Sequence, residues 1–127
     1  MSKKHIIAEN APTAIGTYSH AVLAGDKLFL SGQVGLNPET MKLAVGTEQQ
    51  ITQTFENVKS VIQAAGASLD DVIKVNIYAI DLSCFSLINE VMDRYFQAPY
   101  PARAAIGVAA LPLGAEIEIE AIVQMQR

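Results

Sequence analysis

Two periods of apolar and polar positions divide this chain into elements. Over residues 47–65, Ile51, Phe55, Val58, Ile62 and Ala65 recur at intervals of four, three, four and three. That spacing predicts one apolar stripe of a helix. Thr47 with Gln50 matches a capping box at its start, and Gly66 suits its stop. Val72 to Ile80 is rich in β-branched residues and alternates with a period of two. Ile73, Val75, Ile77 and Ala79 take one side, Lys74, Asn76 and Tyr78 the other. A second helical stripe runs through Phe85, Ile88, Met92 and Tyr95 or Phe96, with Asp81 or Ser83 as its cap. Pro99 and Pro101 are expected to end it.

The remaining apolar runs read as strands. Ala21–Ala24 and Lys27–Ser31 flank Gly25-Asp26 and predict a hairpin. His5 falls in a first strand, and residues 32–46, with Asn37-Pro38, read as a loop. Ala102 to Ala109 and Ala115 to Met125 are two further strands, joined by Leu111-Pro112-Leu113-Gly114. The order predicts an α+β sandwich, a mixed six-stranded sheet with two helices on one face. The helical crossovers would make some neighbouring strands parallel.

Alternation also sorts the charged residues. In the fifth strand Ala104, Ile106 and Val108 share one face, and Arg103, Ala105 and Gly107 share the other. In the last strand Ile117, Ile119, Ala121 and Val123 oppose Glu116, Glu118, Glu120 and Ile122. If the purely aliphatic faces meet the helices, Arg103 and Glu118 fall together on the helix-free face. A face that mixes Tyr78, Ala105 and Ile122 with such charges suits contact with another subunit, so a homo-oligomer is expected. Successive glutamates there stand roughly 6.6 Å apart by strand rise. A Glu118 buried without a partner would hold its proton toward neutral pH. A plain structural salt bridge with Arg103 is the competing reading.

Composition narrows the class of function. The chain has 127 residues, which suits one domain spanning 1–127, and half of them are apolar. A net charge of -4 argues against nucleic acid as a partner. No apolar run is long enough to suggest a membrane span. The opening MSKKHIIAEN lacks the long apolar stretch of a secretory signal. The single cysteine, Cys84, permits no internal disulfide, so a cytoplasmic setting is expected.

Six segments, in order and over nearly the whole chain, then identify a family: "AENAPTAIGTYSHAV", "LSGQVGLNPET", "QTFENVKSVIQAAGASLDDVIKVNIYAIDL", "INEVMDRYF", "YPARAAIGVAALP" and "IEIEAIV". Together they resemble the RidA/YjgF family. The resemblance implies a chorismate-mutase-like fold and a homotrimer, the sheets forming an inner barrel with clefts between subunits. It implies 2-iminobutanoate/2-iminopropanoate deaminase activity, which converts reactive imines and enamines released by pyridoxal-phosphate enzymes to 2-oxo acids and ammonia. It implies no cofactor and no metal. By the same resemblance Arg103 binds the substrate carboxylate and Glu118 holds or activates the attacking water. Tyr18, Ser31 and Asn89 line the cleft, and Ala105 contributes backbone groups. The chain departs from the family pattern at Thr17, His20, Ala104, Ala105 and Gly107, so a smaller pocket wall is expected. A non-catalytic binder of small 2-oxo carboxylates, or a ribonuclease or translation inhibitor, are the alternatives.

Other reactive residues carry weaker signals. His20 is more often a hydrogen-bonded loop residue than a base, and His5 is structural. Two histidines without ligand spacing make a zinc site improbable. Cys84, near a helix start, reads as a small filler. Ser31 lacks a neighbouring base, so covalent catalysis is not expected.

Overall fold

The structure, a computed structural model, describes residues 3–125. Nine elements build it: β1 (Lys3–Ile6), β2 (Ala21–Ala24), β3 (Lys27–Leu30), β4 (Gln33–Val34), α1 (Thr47–Ala64), β5 (Val72–Ala79), α2 (Phe85–Met92), β6 (Ala102–Gly107) and β7 (Ile117–Gln124). The sheet order is β1-β2-β3-β7-β5-β6, and the two-residue β4 extends β3's side of β7. This makes seven strands where six are expected, because two residues of the 32–46 stretch continue the pairing. β5 and β6 run parallel, joined by the α2 crossover, and the other pairs are antiparallel.

Both helices cover one face. Ile51, Phe55, Val58, Val61 and Ile62 of α1 and Ile88, Val91 and Met92 of α2 pack into one core with Val75, Ile77, Ala79, Ile117, Ile119, Ala121 and Val123. The α+β expectation holds, and the predicted stripes are buried except at Ala65, which is half-buried, and Phe85, which is 40% exposed.

Four local expectations fail. The capping box at α1 does not form. Gly46 takes the cap position at φ 103 without a side-chain bond. Thr47 Oγ1 and Gln50 Nε2 instead donate to the two oxygens of Glu116, at 2.8 and 3.1 Å. The backbone N–H of Glu116 donates in turn to Gln50 Oε1 at 3.0 Å. The sequence neighbours that could cap the helix thus bind it to β7. In β5 a bulge between Val72 and Lys74 turns Val72 inward, and Ile73 is 42% exposed. α2 stops at Met92, well before Pro99. The fourth failure concerns β6 and decides the geometry of the site.

Candidate functional site

β6 lies in parallel register with β5: Arg103 pairs with Val75, Ala105 with Ile77 and Gly107 with Ala79. Val75, Ile77 and Ala79 are core residues beneath the helices. Paired residues share a face, so Arg103, Ala105 and Gly107 point to the helical side. Ala104 and Ile106 pair with Asn76 and Tyr78 on the open side. Glu118 pairs with Tyr78, also on the open side. Arg103 and Glu118 of one chain therefore stand on opposite faces of the sheet, not together as alternation and apolarity alone suggest. The reason is the edge position of β6. Its helix-facing positions must be small where α2 and its leader pack closely; a Cβ on Gly107 would lie 3.4 Å from Leu82 Cδ1. At the rim a long cation can extend past the core.

Arg103 uses that freedom. Its Nη1 donates to Asn89 Oδ1 on α2 and lies 3.7 Å from Met92 Sδ. Its guanidinium carbon sits 5.1 Å from the centre of the Phe85 ring, within cation–π range. α2 thus fixes the guanidinium from three positions, 85, 89 and 92, spaced to share one helix face. A cleft of about 610 Å³ opens beside it. Two acids line this cleft, and both are engaged elsewhere: Asp93 accepts from Tyr100 at 2.6 Å, and Glu90 lies 3.7 Å from Arg94. Arg94 also meets Glu48 at 3.2 Å. Arg103 has no acidic partner among the described residues. The guanidinium is thus fixed at the wall of a cleft without a carboxylate partner among the described residues, and a planar guanidinium matches a carboxylate's two oxygens.

The open face carries the second cluster. Glu118 is half-buried and receives no hydrogen bond from any described residue. Burial, and then the charge of Glu120, push its carboxyl above the ordinary 4.5. Gly32 abuts it: a Cβ there would lie 2.6 Å from Glu118 Oε2. Ser31, beside Gly32, donates from Oγ to the Ser19 carbonyl at 2.6 Å and from its backbone to His20 at 3.0 Å. These bonds hold the Tyr18–His20 segment against the β3–β4 junction. Tyr18 is 42% exposed and accepts at its hydroxyl from the Ile15 backbone at 3.3 Å. The structure thus brings Glu118, Ser31 and the Tyr18 segment to one side, and Arg103 with Asn89 to another. Ala105 packs partly into the core, and its strand has an unpaired outer edge.

Gly32, Phe85 and Met92 escape the sequence reading as site residues. The "SGQ" glycine is a signal for close approach, whereas Phe85 and Met92 carry only the ordinary signal of a helix stripe. His20 is not placed to act as a base. It is buried; Nδ1 accepts from the Ala8 N–H at 2.8 Å and Nε2 donates to the Pro12 carbonyl at 2.8 Å. Both ring nitrogens are thereby used within the chain. Cys84 precedes α2, donates to the Asp81 carbonyl, and burial pushes its thiol up. Among the described residues no group of three histidine, cysteine or acidic side chains could hold a metal ion, and no helix is long and apolar enough to cross a membrane.

A family model described as Endoribonuclease L-PSP matches residues 8–125. A 2-iminobutanoate/2-iminopropanoate deaminase of Dermatophagoides farinae is 45% identical over 128 residues, 99% of this chain and 100% of that protein. The chain belongs to the RidA/YjgF family. A solved relative in this family, RidA of an Antarctic Psychrobacter, is 49% identical and superposes with a TM-score of 0.94, covering 96% of this chain and 99% of that one. Another, E. coli TdcF with bound serine, is 40% identical with a TM-score of 0.93, covering 97% and 99%. The two-helix, mixed-sheet architecture is thus the RidA/YjgF architecture.

Proposed function

We propose that this chain hydrolyses reactive 2-imino and 2-enamino acids, such as 2-iminobutanoate and 2-iminopropanoate, to 2-oxo acids and ammonia. The observation that carries the reading is the fixed guanidinium of Arg103, without an acid partner, in a cleft. The deaminase names of relatives 45% and 41% identical support the reaction class.

Arg103 and Glu118 of one chain face opposite ways. The reading therefore requires a cyclic homotrimer in which Arg103 and Asn89 of one subunit meet Glu118, Ser31 and Tyr18 of the next. Arg103 takes the substrate carboxylate through its planar fork, which aims the adjacent C=N carbon. Glu118 accepts a proton from water as the oxygen attacks that carbon. The proton returns to nitrogen and gives a carbinolamine; its hydroxyl proton then passes through Glu118 to the amino group, the C–N bond breaks, and ammonia leaves as the C=O forms. A carboxyl raised above its ordinary range is a stronger proton acceptor during attack and can return the proton afterwards. No covalent enzyme intermediate is needed.

Generate the imine with an amino acid oxidase, and trap what remains with semicarbazide. The protein is expected to lower the trapped amount, and an unchanged amount beside an active reference deaminase refutes the reading. The shared site has its own test. Arg103→Ala and Glu118→Gln are each expected to be inactive. Randomly mixed trimers of the two should regain about one quarter of wild-type activity, the fraction of interfaces that unite both intact residues. Hybrids as inactive as their parents, with subunit mixing confirmed by mass, would place the two residues in separate roles.

A second reading, a binder of small carboxylates without turnover, draws on the serine bound to E. coli TdcF. Calorimetric binding of 2-oxobutanoate without any effect on the imine trap would select it.

A further inference from the structure

Glu118 has a neighbour on the open face whose situation is its opposite. Glu120 follows it by two residues on β7, roughly 6.6 Å away by strand rise. Glu120 Oε1 accepts from the Tyr78 hydroxyl at 2.7 Å and from Asn76 Nδ2 at 3.2 Å. The register makes this arrangement unusual: Asn76 is directly opposite Glu120, but Tyr78 is directly opposite Glu118. Tyr78 reaches diagonally past Glu118 to serve Glu120. Two donors therefore converge on one carboxylate and none on the other.

The remaining charges of this face do not level the difference. Lys74 pairs with Ile122, one step beyond Glu120 and farther from Glu118. Lys27 pairs with Gln124 at the far end of β7 and is bound to Asp26 at 3.0 Å. Lys3 and His5 lie on β1, at the opposite edge of the sheet. Glu116 is held by Thr47 and Gln50. Ser31 turns its hydroxyl to Ser19, and Gly32 offers no side chain.

We propose that Glu120 is a positioning residue for the reaction: clamped by Tyr78 and Asn76 as a fixed negative charge beside Glu118, it strengthens Glu118 as the group that takes the water proton and returns it. The bond to Glu120 also pushes the Tyr78 phenol above its ordinary value, which preserves Tyr78 as the donor. The negative field of Glu120 is the second cause, after burial, of the raised Glu118 carboxyl. The inference rests on the deaminase reading for its purpose, but its physical content is a coupling between two named carboxylates.

That coupling can be measured without substrate. Carboxyl-carbon NMR titration of the assembled protein follows each glutamate, with Glu118→Gln identifying the Glu118 signal. Glu120→Gln retains an oxygen acceptor for Tyr78 and removes the charge. The Glu118 midpoint is expected to fall by about 0.5–2 pH units, the Coulomb energy of two unit charges at this separation for effective dielectrics between bulk water and a protein surface. Tyr78→Phe, which frees the Glu120 side chain, is expected to lower it by a smaller amount. An unchanged midpoint in whichever of the two variants assembles overturns the proposal. The acid limb of kcat/KM for imine hydrolysis should move down with the midpoint. A shifted midpoint in a protein that never turns over imines would retain the coupling and reject the deaminase reading. Imine turnover with an unmoved midpoint would do the reverse.

Discussion

His20 gives the sharpest stability prediction, because its two hydrogen bonds define what a substitute must do. The ring accepts from Ala8 at Nδ1 and donates to Pro12 at Nε2, both at 2.8 Å. The partners are buried, Ala8 at 2% exposure. His20→Ala leaves one buried N–H and one buried carbonyl without partners, each costing about 1–3 kcal/mol, and adds the loss of ring packing. Allowing for partial relaxation of the loop, the sum is about 3 kcal/mol, a large share of the 5–15 kcal/mol typical of a domain. Glutamine carries an acceptor and a donor on one planar amide. His20→Gln should therefore cost about 1 kcal/mol or less. The measurement is urea unfolding followed by circular dichroism, at one fixed subunit concentration because assembly adds to apparent stability. With a slope of about 1.5–2 kcal/mol/M, His20→Ala should lower the midpoint by about 1.5–2 M. The reasoning fails if His20→Ala unfolds within about 0.3 M of wild type, or if His20→Gln is as damaged as the alanine variant. His20→Ala should also raise KM more than it lowers kcat, because the segment it ties down carries Tyr18.

Arg103→Ala should reduce kcat/KM for imine hydrolysis at least about 100-fold, the loss of roughly 3 kcal/mol from charged hydrogen bonds to a carboxylate, while urea unfolding stays near wild type. Gly32→Ala should act on the other half-site: its Cβ would stand 2.6 Å from Glu118 Oε2, so the carboxylate is displaced and activity falls about tenfold or more, again with little change in unfolding. Glu116→Ala removes the acceptor that Thr47 and Gln50 share, and should cost about 1–2 kcal/mol in urea unfolding without altering the Glu118 titration. Glu118→Gln tests the sign of linkage. A carboxyl raised above 4.5 binds protons more tightly folded than unfolded, so its contribution to stability is full below that value and is lost as pH rises. Relative to wild type, Glu118→Gln should be more stable at pH 7 than at pH 4 in paired thermal melts.

What the sequence discloses here follows from where signal is dense. α1 is legible because Ile51, Phe55, Val58 and Ile62 all end in the core. β7 is legible because isoleucine and glutamate alternate from Ile117 to Glu120, and Ala121 and Val123 keep the same buried phase. β6 is not, because "ARAAIGV" sets its phase by small residues, and alanine and glycine fit either a tight core wall or an exposed strand. The larger Ile106 draws the reading inward, yet it is 50% exposed on the open face. Only its parallel register with β5 decides the matter. Ile73 misleads for a related reason: a bulge breaks the period of two at the first residues of β5. Thr47 and Gln50 match a cap by local spacing but serve Glu116, 69 and 66 residues away. Contacts of that separation leave no local pattern. Arg103 and Glu118 are nevertheless singled out by chemistry alone, one cation in a small apolar run and one carboxylate in a ladder, even though their faces are not.

The two faces also connect assembly to reactivity. The open face that bears Glu118 exposes Phe29 at 46% and Ile106 at 50%, with Tyr78 and Ile122 between them. Apolar surface of this kind favours burial against another copy at roughly 25 cal/mol per Å². In the trimer proposed above, the same burial that draws subunits together removes water from around Glu118. Desolvation disfavours its charged form, so assembly raises further a proton affinity that a single chain already raises. It also carries Glu118 toward the Arg103 of a neighbour, whose cationic charge acts in the opposite direction until a substrate carboxylate neutralises it. Substrate binding and proton affinity are then linked: the carboxylate that occupies Arg103 is what restores Glu118 as a proton donor. An Arg103→Gln trimer should accordingly show a Glu118 midpoint above wild type in the absence of ligand, and saturating wild type with 2-oxobutanoate should move its midpoint the same way.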